Sequence, residues 1–199
     1  TKGYIEAWVD EQPASATSAW TDTLDTENNG FANQSIRQVL LNSQISASGD
    51  KCRVTLQGHS TTNLKLDNVA IVERVGLTQH GVTTPTEILF GGSSGVVVSK
   101  LGNIVSDWVD FKIDSSKDYL VIFDVNSDTS ADDFIAALSG GGGYYNLSNT
   151  NSYDTVTFGD STLTGTRTVV INKLETEVKQ VINTDYIAEM SRDGGTTYS

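Results

Sequence analysis

The residues that most often do chemistry are scarce in this chain of 199: two His, one Cys and no dense basic patch. One stretch has the spacing of a nucleophilic serine. Gly91-Gly92-Ser93-Ser94-Gly95 fits Gly-x-Ser-x-Gly, but that elbow needs a strand-to-helix turn and a His later in the chain. Here Val96-Val97-Val98 follows, and both His59 and His80 precede the serine. Without a base to take its proton the hydroxyl is an ordinary alcohol, so the stretch reads as a glycine-rich β-turn. His59 and His80 each sit beside turn residues, in Gly58-His59-Ser60 and Gln79-His80-Gly81, and are expected as solvent-exposed loop histidines. The single Cys52 excludes an intrachain disulfide and reads as a small buried hydrophobe.

Metal chemistry has one candidate. In Asp124-Val125-Asn126-Ser127-Asp128, followed by Asp132 and Asp133, oxygen ligands fall at positions 1, 3, 5 and 9, similar to the start of an EF-hand-type calcium loop. Thr129 stands where that loop has Gly, and Ile135 where it has the bidentate Glu. Two readings follow: a structural calcium held by Asp124, Asn126, Asp128 and Asp132, or a solvated turn that caps a short helix. No other cofactor is expected.

A third motif, Phe158-Gly159-Asp160-Ser161-Thr162-Leu163, resembles the Gly-Asp-Ser block of SGNH-type esterases. Only 38 residues follow Ser161 and none is His, so this also reads as a hairpin turn and the chain as non-catalytic. Binding chemistry is better supplied. Trp20, Trp108, Tyr144, Tyr145 and Tyr153 offer rings for stacking on sugars, and the Gly-rich stretch from Ser139 to Asn151 adds Asn146 among other amides. The candidate ligand-binding set is Trp108, Tyr144, Tyr145, Asn146 and Tyr153.

The elements that must position these residues are strands. Ser35–Leu41, Lys51–Gln57 and Asn63–Val75 alternate or run apolar between turn clusters, and Thr86–Phe90, Gly95–Ser99, Ser106–Ile113 and Tyr119–Val125 follow suit. In Asp107-Trp108-Val109-Asp110-Phe111-Lys112-Ile113 the period of two puts Trp108, Asp110 and Lys112 on one face and Val109, Phe111 and Ile113 on the core side. Tyr144-Tyr145, Thr155–Phe158 and Arg167–Val178 continue the β pattern, while Ala131–Leu138, capped by Ser130 and stopped by Gly140–Gly143, reads as the one helix. The expected fold is all-β: an antiparallel two-sheet sandwich, a jelly roll, with one short helix and extended terminal arms. The expected boundaries are an N-terminal arm over 1–29, the sandwich over 30–179 and a C-terminal strand or hairpin arm over 180–199.

Composition bounds the partners. A formal charge of −12 repels polyanions, so nucleic acid is a poor partner. No run approaches the roughly 18 apolar residues of a membrane helix, and membrane insertion is not expected. The N-terminus lacks the order of a secretory leader, and Thr at position 1 is compatible with removal of one.

Two resemblances add to this reading. Ser191-Arg192-Asp193-Gly194-Gly195-Thr196-Thr197-Tyr198 resembles the Asp-box hairpin of sialidases and of many secreted or viral β proteins, with Tyr198 in place of the usual Trp. In that family the box is a structural turn. Ser35–Arg74, with Leu66-Asp67-Asn68-Val69-Ala70-Ile71, and Thr86–Asn126, with Ile104-Val105-Ser106-Asp107 and Lys117-Asp118-Tyr119-Leu120-Val121, look like the galactose-binding-type jelly rolls. Such domains occur as carbohydrate-binding modules and in phage virion and tail proteins. The resemblance implies a non-catalytic sandwich, and the sugar-contact residues of those families do not map one by one onto this chain. The leading expectation is a structural or adhesive protein of a bacteriophage particle: a tail-fibre, decoration or receptor-binding module, found in the virion or extracellularly. It would form a homo-oligomer or bind neighbouring virion proteins, with a glycan as further partner. The alternative is a carbohydrate-binding module of a secreted polysaccharide-degrading enzyme.

Overall fold

The computed structural model describes residues 15–28, 31–128, 134–137, 143–148, 152–159 and 168–178. Asp132, Ser161, the 185–190 strand and the 191–198 octet lie outside the described residues. In chain order the strands are β1 (Thr17–Thr21), β2 (Thr26–Asn28), β3 (Gln34–Leu40), β4 (Lys51–Gln57), β5 (Leu64–Glu73), β6 (Thr86–Glu87) and β7 (Val96–Val98). They continue with β8 (Asn103–Val105), β9 (Tyr119–Val125), β10 (Phe134–Ala137), β11 (Tyr144–Ser148), β12 (Thr168–Val169) and β13 (Ile171–Glu177).

The chain is an antiparallel β-sandwich. One sheet runs β1-β13-β4-β8 and the other β11-β3-β9-β5-β6, with β7 also on β5; β12-β10-β2 form a small third sheet. Among the described residues every strand pairing is antiparallel. The core lies between the two larger sheets, where Cys52, Val54, Leu56, Ile171 and Leu174 of one meet Ile36, Leu64, Ile71, Val121 and Phe123 of the other. No helix of the described residues is long and apolar enough to cross a membrane.

Strand β9 explains the layering. All seven of its residues are buried. With side chains alternating between faces, Tyr119, Val121, Phe123 and Val125 point into the inter-sheet core, while Leu120 and Ile122 join a second apolar cluster with Val39, Ala70, Val72, Tyr145 and Phe158. That second cluster lies on the outer side of the β11-β3-β9-β5-β6 sheet. A strand buried on both faces requires a cover there, and residues 152–159 supply it.

Several expectations are corrected. The 131–138 run is not a helix: Phe134–Ala137 is strand β10, paired with β2 and β12. Aromatic and β-branched residues suit a pleated surface, and ladder bonds on both sides outweigh the weak local preference of four residues. Among the described residues the helical element is a single 3₁₀ turn, Asn42–Gln44. Ser106–Ile113 runs extended without forming a continuous strand; it touches β4 through the isolated bridge of Val109 with Cys52, and a second bridge joins Gly49 and Ile113. Its alternation holds, with Val109 and Ile113 buried, Phe111 packed on the core, and Asp110 and Lys112 exposed. Residues 155–158 form no strand. Thr17–Thr21, read as part of an arm, is the edge strand beside β13, and it buries Ala19 and Trp20 in the core.

Candidate functional site

The two outer faces of the sandwich differ. On the β11-β3-β9-β5-β6 side, Arg37 stands in the middle of β3 and is fully buried. It has become an anchor for residues 152–159, which we call the strap. Its Nη1 donates to the Gln79 carbonyl (3.0 Å) and the Val156 carbonyl (3.4 Å), and its Nη2 to the carbonyls of Ser152 (3.2 Å) and Thr155 (2.5 Å). The guanidinium carbon also lies 4.7 Å from the centroid of the Phe158 ring, a favourable cation–π arrangement. Burial pushes the Arg37 pKa down to about 10, against the opposing pull of Asp124.

Asp124 is the second anchor. It is directly opposite Ser35 in the β3–β9 register, and its carboxylate accepts the Ser35 hydroxyl and the backbone N–H groups of Ser152 (3.4 Å) and Tyr153 (3.1 Å). Burial raises its pKa, and the bonds from Ser35, Ser152 and Tyr153 together with Arg37 only partly offset the shift. Further bonds tie the strap to the 74–83 hairpin: Gly81 N–H to the Val156 carbonyl (2.9 Å), and Phe158 N–H to His80 Nδ1 (3.1 Å).

The residues of the calcium reading are arranged as follows. Asp124 points into the strap anchor. Asn126 donates from Nδ2 to Asp67 (2.5 Å) and accepts the Asp128 N–H (3.0 Å), and Asp128 is ion-paired with Lys65. Among the described residues no three His, Cys, Asp or Glu side chains cluster to hold a metal ion.

The histidine expectation is corrected in part. His59 is buried, 2% exposed, and its Nδ1 accepts the Thr61 N–H at 3.2 Å. The Gly58 backbone explains the burial: an added Cβ there would sit 2.1 Å from the Ser99 carbonyl oxygen, so the two loops touch main chain to main chain. The Ser93 motif is a tight turn, closed by Phe90 N–H to the Ser93 carbonyl (2.9 Å), with Gly91 and Gly92 at positive φ of 59° and 80°.

Of the ligand-binding candidates, Tyr145 and Tyr153 lie on the strap side and Trp108 on the other. Tyr145 turns inward: its hydroxyl donates to the Leu77 carbonyl (3.0 Å) and accepts from Arg74 (2.8 Å). Tyr144 and Asn146 lie on β11 opposite Gln38 and Ile36, so the β pattern expected at Tyr144-Tyr145 is a strand within the Gly-rich stretch. Tyr153 belongs to the strap and is partly exposed.

Trp108 belongs to the other face. On the outer side of the β1-β13-β4-β8 sheet, Lys51, Arg53 and Thr55 of β4 stand opposite Glu177, Glu175 and Lys173 of β13. Arg53 lies 4.6 Å over the partly exposed Trp108 ring and donates to Glu175 at 2.9 Å, which also takes Lys173 at 2.8 Å. Burial alone would raise the Glu175 pKa; the hydrogen bonds from Lys173 and Arg53 outweigh it and hold it below 4.5. Beyond this ionic patch comes a row of amides, in which Asn172 Nδ2 donates to Gln57 Oε1 (3.1 Å) and Asn103 Oδ1 (3.2 Å). Along β4, Arg53 and Gln57 are four residues apart, about 13 Å at the strand rise. Polar, and bearing the Trp108 ring, this face can bond hydroxyl groups and stack against an apolar ring face.

Compared with protein-family models, the chain matches none, and compared with curated proteins it matches none.

Proposed function

We propose that this chain is a non-catalytic structural and adhesive β-sandwich of a bacteriophage particle, a tail-fibre, decoration or receptor-binding module. It offers the outer face of the β1-β13-β4-β8 sheet to cell-surface glycans. The observation that carries this reading is the difference between the two faces: one is covered by the chain's own strap, whereas the other presents Trp108, Arg53 and the row Gln57, Asn172 and Asn103. Neutral glycans fit better than acidic polymers, because the chain carries a charge of −12 and Arg53 and Lys173 are already paired with Glu175. Two measurements test it. Light scattering should find an oligomer, and a glycan array should find binding that Trp108→Ala weakens by about three- to tenfold, the worth of one aromatic contact. A monomer that binds no glycan overturns the proposal.

The partly exposed Trp108 also favours a second reading, a carbohydrate-binding module of a secreted polysaccharide-degrading enzyme. A strictly monomeric protein that binds polysaccharide through Trp108 would select it.

A further inference from the structure

We propose that the flank formed by β7, β8 and the turn 99–102 between them is the contact by which this chain pairs with a second copy of itself, with Leu101 as the anchor. The inference rests on the assembly reading above. Its first support is the conformation of one residue. Leu101 has a φ of 57°, in the left-handed region that bulky side chains avoid and Gly enters freely, and it is 75% exposed. The strain therefore adds nothing to the core. Hydrogen bonds fix the turn in this shape: Leu101 N–H donates to the His59 carbonyl (2.8 Å), Gly102 N–H to the Ser99 carbonyl (2.9 Å) and Lys100 N–H to Asn63 Oδ1 (2.9 Å). A leucine held out in solvent at a conformational cost has the character of a preorganised contact residue.

The second support is what surrounds it. Among the described residues β7 pairs with β5 alone and β8 with β4 alone, so the turn joins the edges of the two larger sheets on one flank. Val97 and Val105, both exposed, border Leu101 on either side. Edge strands are commonly blunted by charge, yet from Ile88 to Ser106 the only charged side chain is Lys100, and the acidic excess of the −12 chain lies outside this stretch. That composition selects the partner. Elsewhere the like charge of two copies opposes contact, whereas flank against flank they meet without desolvating a carboxylate, and Lys100 can keep its ammonium in water while its stem lies on the contact. A second copy brings the same uncharged aliphatic surface, as the self-complementary contact of a two-fold dimer requires.

Leu101→Gly tests this, because glycine relieves the strain at that φ and removes the side chain without opening the core. Sedimentation of the full chain over a range of concentrations should show self-association that Leu101→Gly weakens by about tenfold or more, the worth of one buried leucine, and that Leu101→Asp weakens further. The urea midpoint of the Gly variant, measured on dilute monomer, should not fall; a fall marks Leu101 as a packing residue and overturns the anchor. Lys100→Cys treated with a short bismaleimide should give covalent dimers, since position 100 is exposed beside the anchor. Native Cys52 is buried with its thiol pushed up to about 12, and stays silent toward maleimides at neutral pH. An oligomer that neither Leu101 variant weakens, or one whose Lys100→Cys form gives no covalent dimer, overturns the flank contact and leaves the assembly reading standing. A chain that is monomeric at every concentration overturns both. If Leu101→Gly does not fold, Leu101→Asn, which also tolerates that φ, takes its place.

Discussion

Arg37 lies 4.7 Å over the ring of Phe158, 121 positions further along the chain, and the two are buried together on the outer side of a sheet. One ion thus ties a segment outside the sheets to the middle of a strand. Removing Arg37 leaves several strap carbonyls without donors and Asp124 without its cation. Arg37→Met is expected to cost about 3–5 kcal/mol, the usual penalty for breaking a buried charged pair from one side. Urea midpoints measure it, and limited proteolysis should show cleavage within the strap before the sheets open.

Asp124 links the strap to pH. Its folded pKa is raised above 3.8 because burial outweighs its hydrogen bonds and Arg37. The fold thus favours the protonated form. The stability this contributes is full below the unfolded value near 4 and is lost as pH rises through the folded value. Asp124→Asn removes that dependence. Thermal midpoints of the two proteins, compared from pH 4 upward, should diverge in favour of the Asn variant.

Glu175 carries the opposite sign. Its folded pKa is held below 4.5, since the hydrogen bonds from Lys173 and Arg53 exceed the effect of burial. Its contribution is present above the unfolded pKa and disappears as pH falls through the folded one. Glu175→Gln should therefore lower the thermal midpoint at neutral pH, and the gap to wild type should close as pH falls through the depressed folded pKa.

Gly58 marks where two loops meet. A Cβ there falls 2.1 Å from the Ser99 carbonyl oxygen, while Gly58 N–H donates to Gly102 at 2.8 Å. Gly58→Ala must push main chain apart. A cost of about 1–3 kcal/mol in chemical denaturation is the expected outcome for such overpacking.

Alternation made the sheets legible. Lys51–Gln57 and Tyr119–Val125 fall where the period of two puts them, and the division of 108–113 into a solvent side and a core side holds residue by residue. The run 134–137 misled because Ser130 and the following glycines imitate helix ends, whereas its pairing partners β2 and β12 are distant in sequence. The strap was not legible, since nothing in Ser35-Ile36-Arg37-Gln38-Val39-Leu40 marks its Arg as buried. One signal was there: Tyr119-Leu120-Val121-Ile122-Phe123 has no polar residue in alternate positions, the mark of a strand covered on both faces. Trp108 was visible as a platform candidate by its face alone, but the Arg53–Glu175–Lys173 network beside it depends on the β4–β13 register.

Strand β9 is covered above and below, buried at all seven residues and hydrogen-bonded along both edges to β3 and β5. Its amides should exchange with deuterium only through global unfolding, so their exchange rates report the full unfolding free energy. Any treatment that frees the strap without unfolding the sandwich should speed exchange elsewhere and leave β9 as the last segment to take up label.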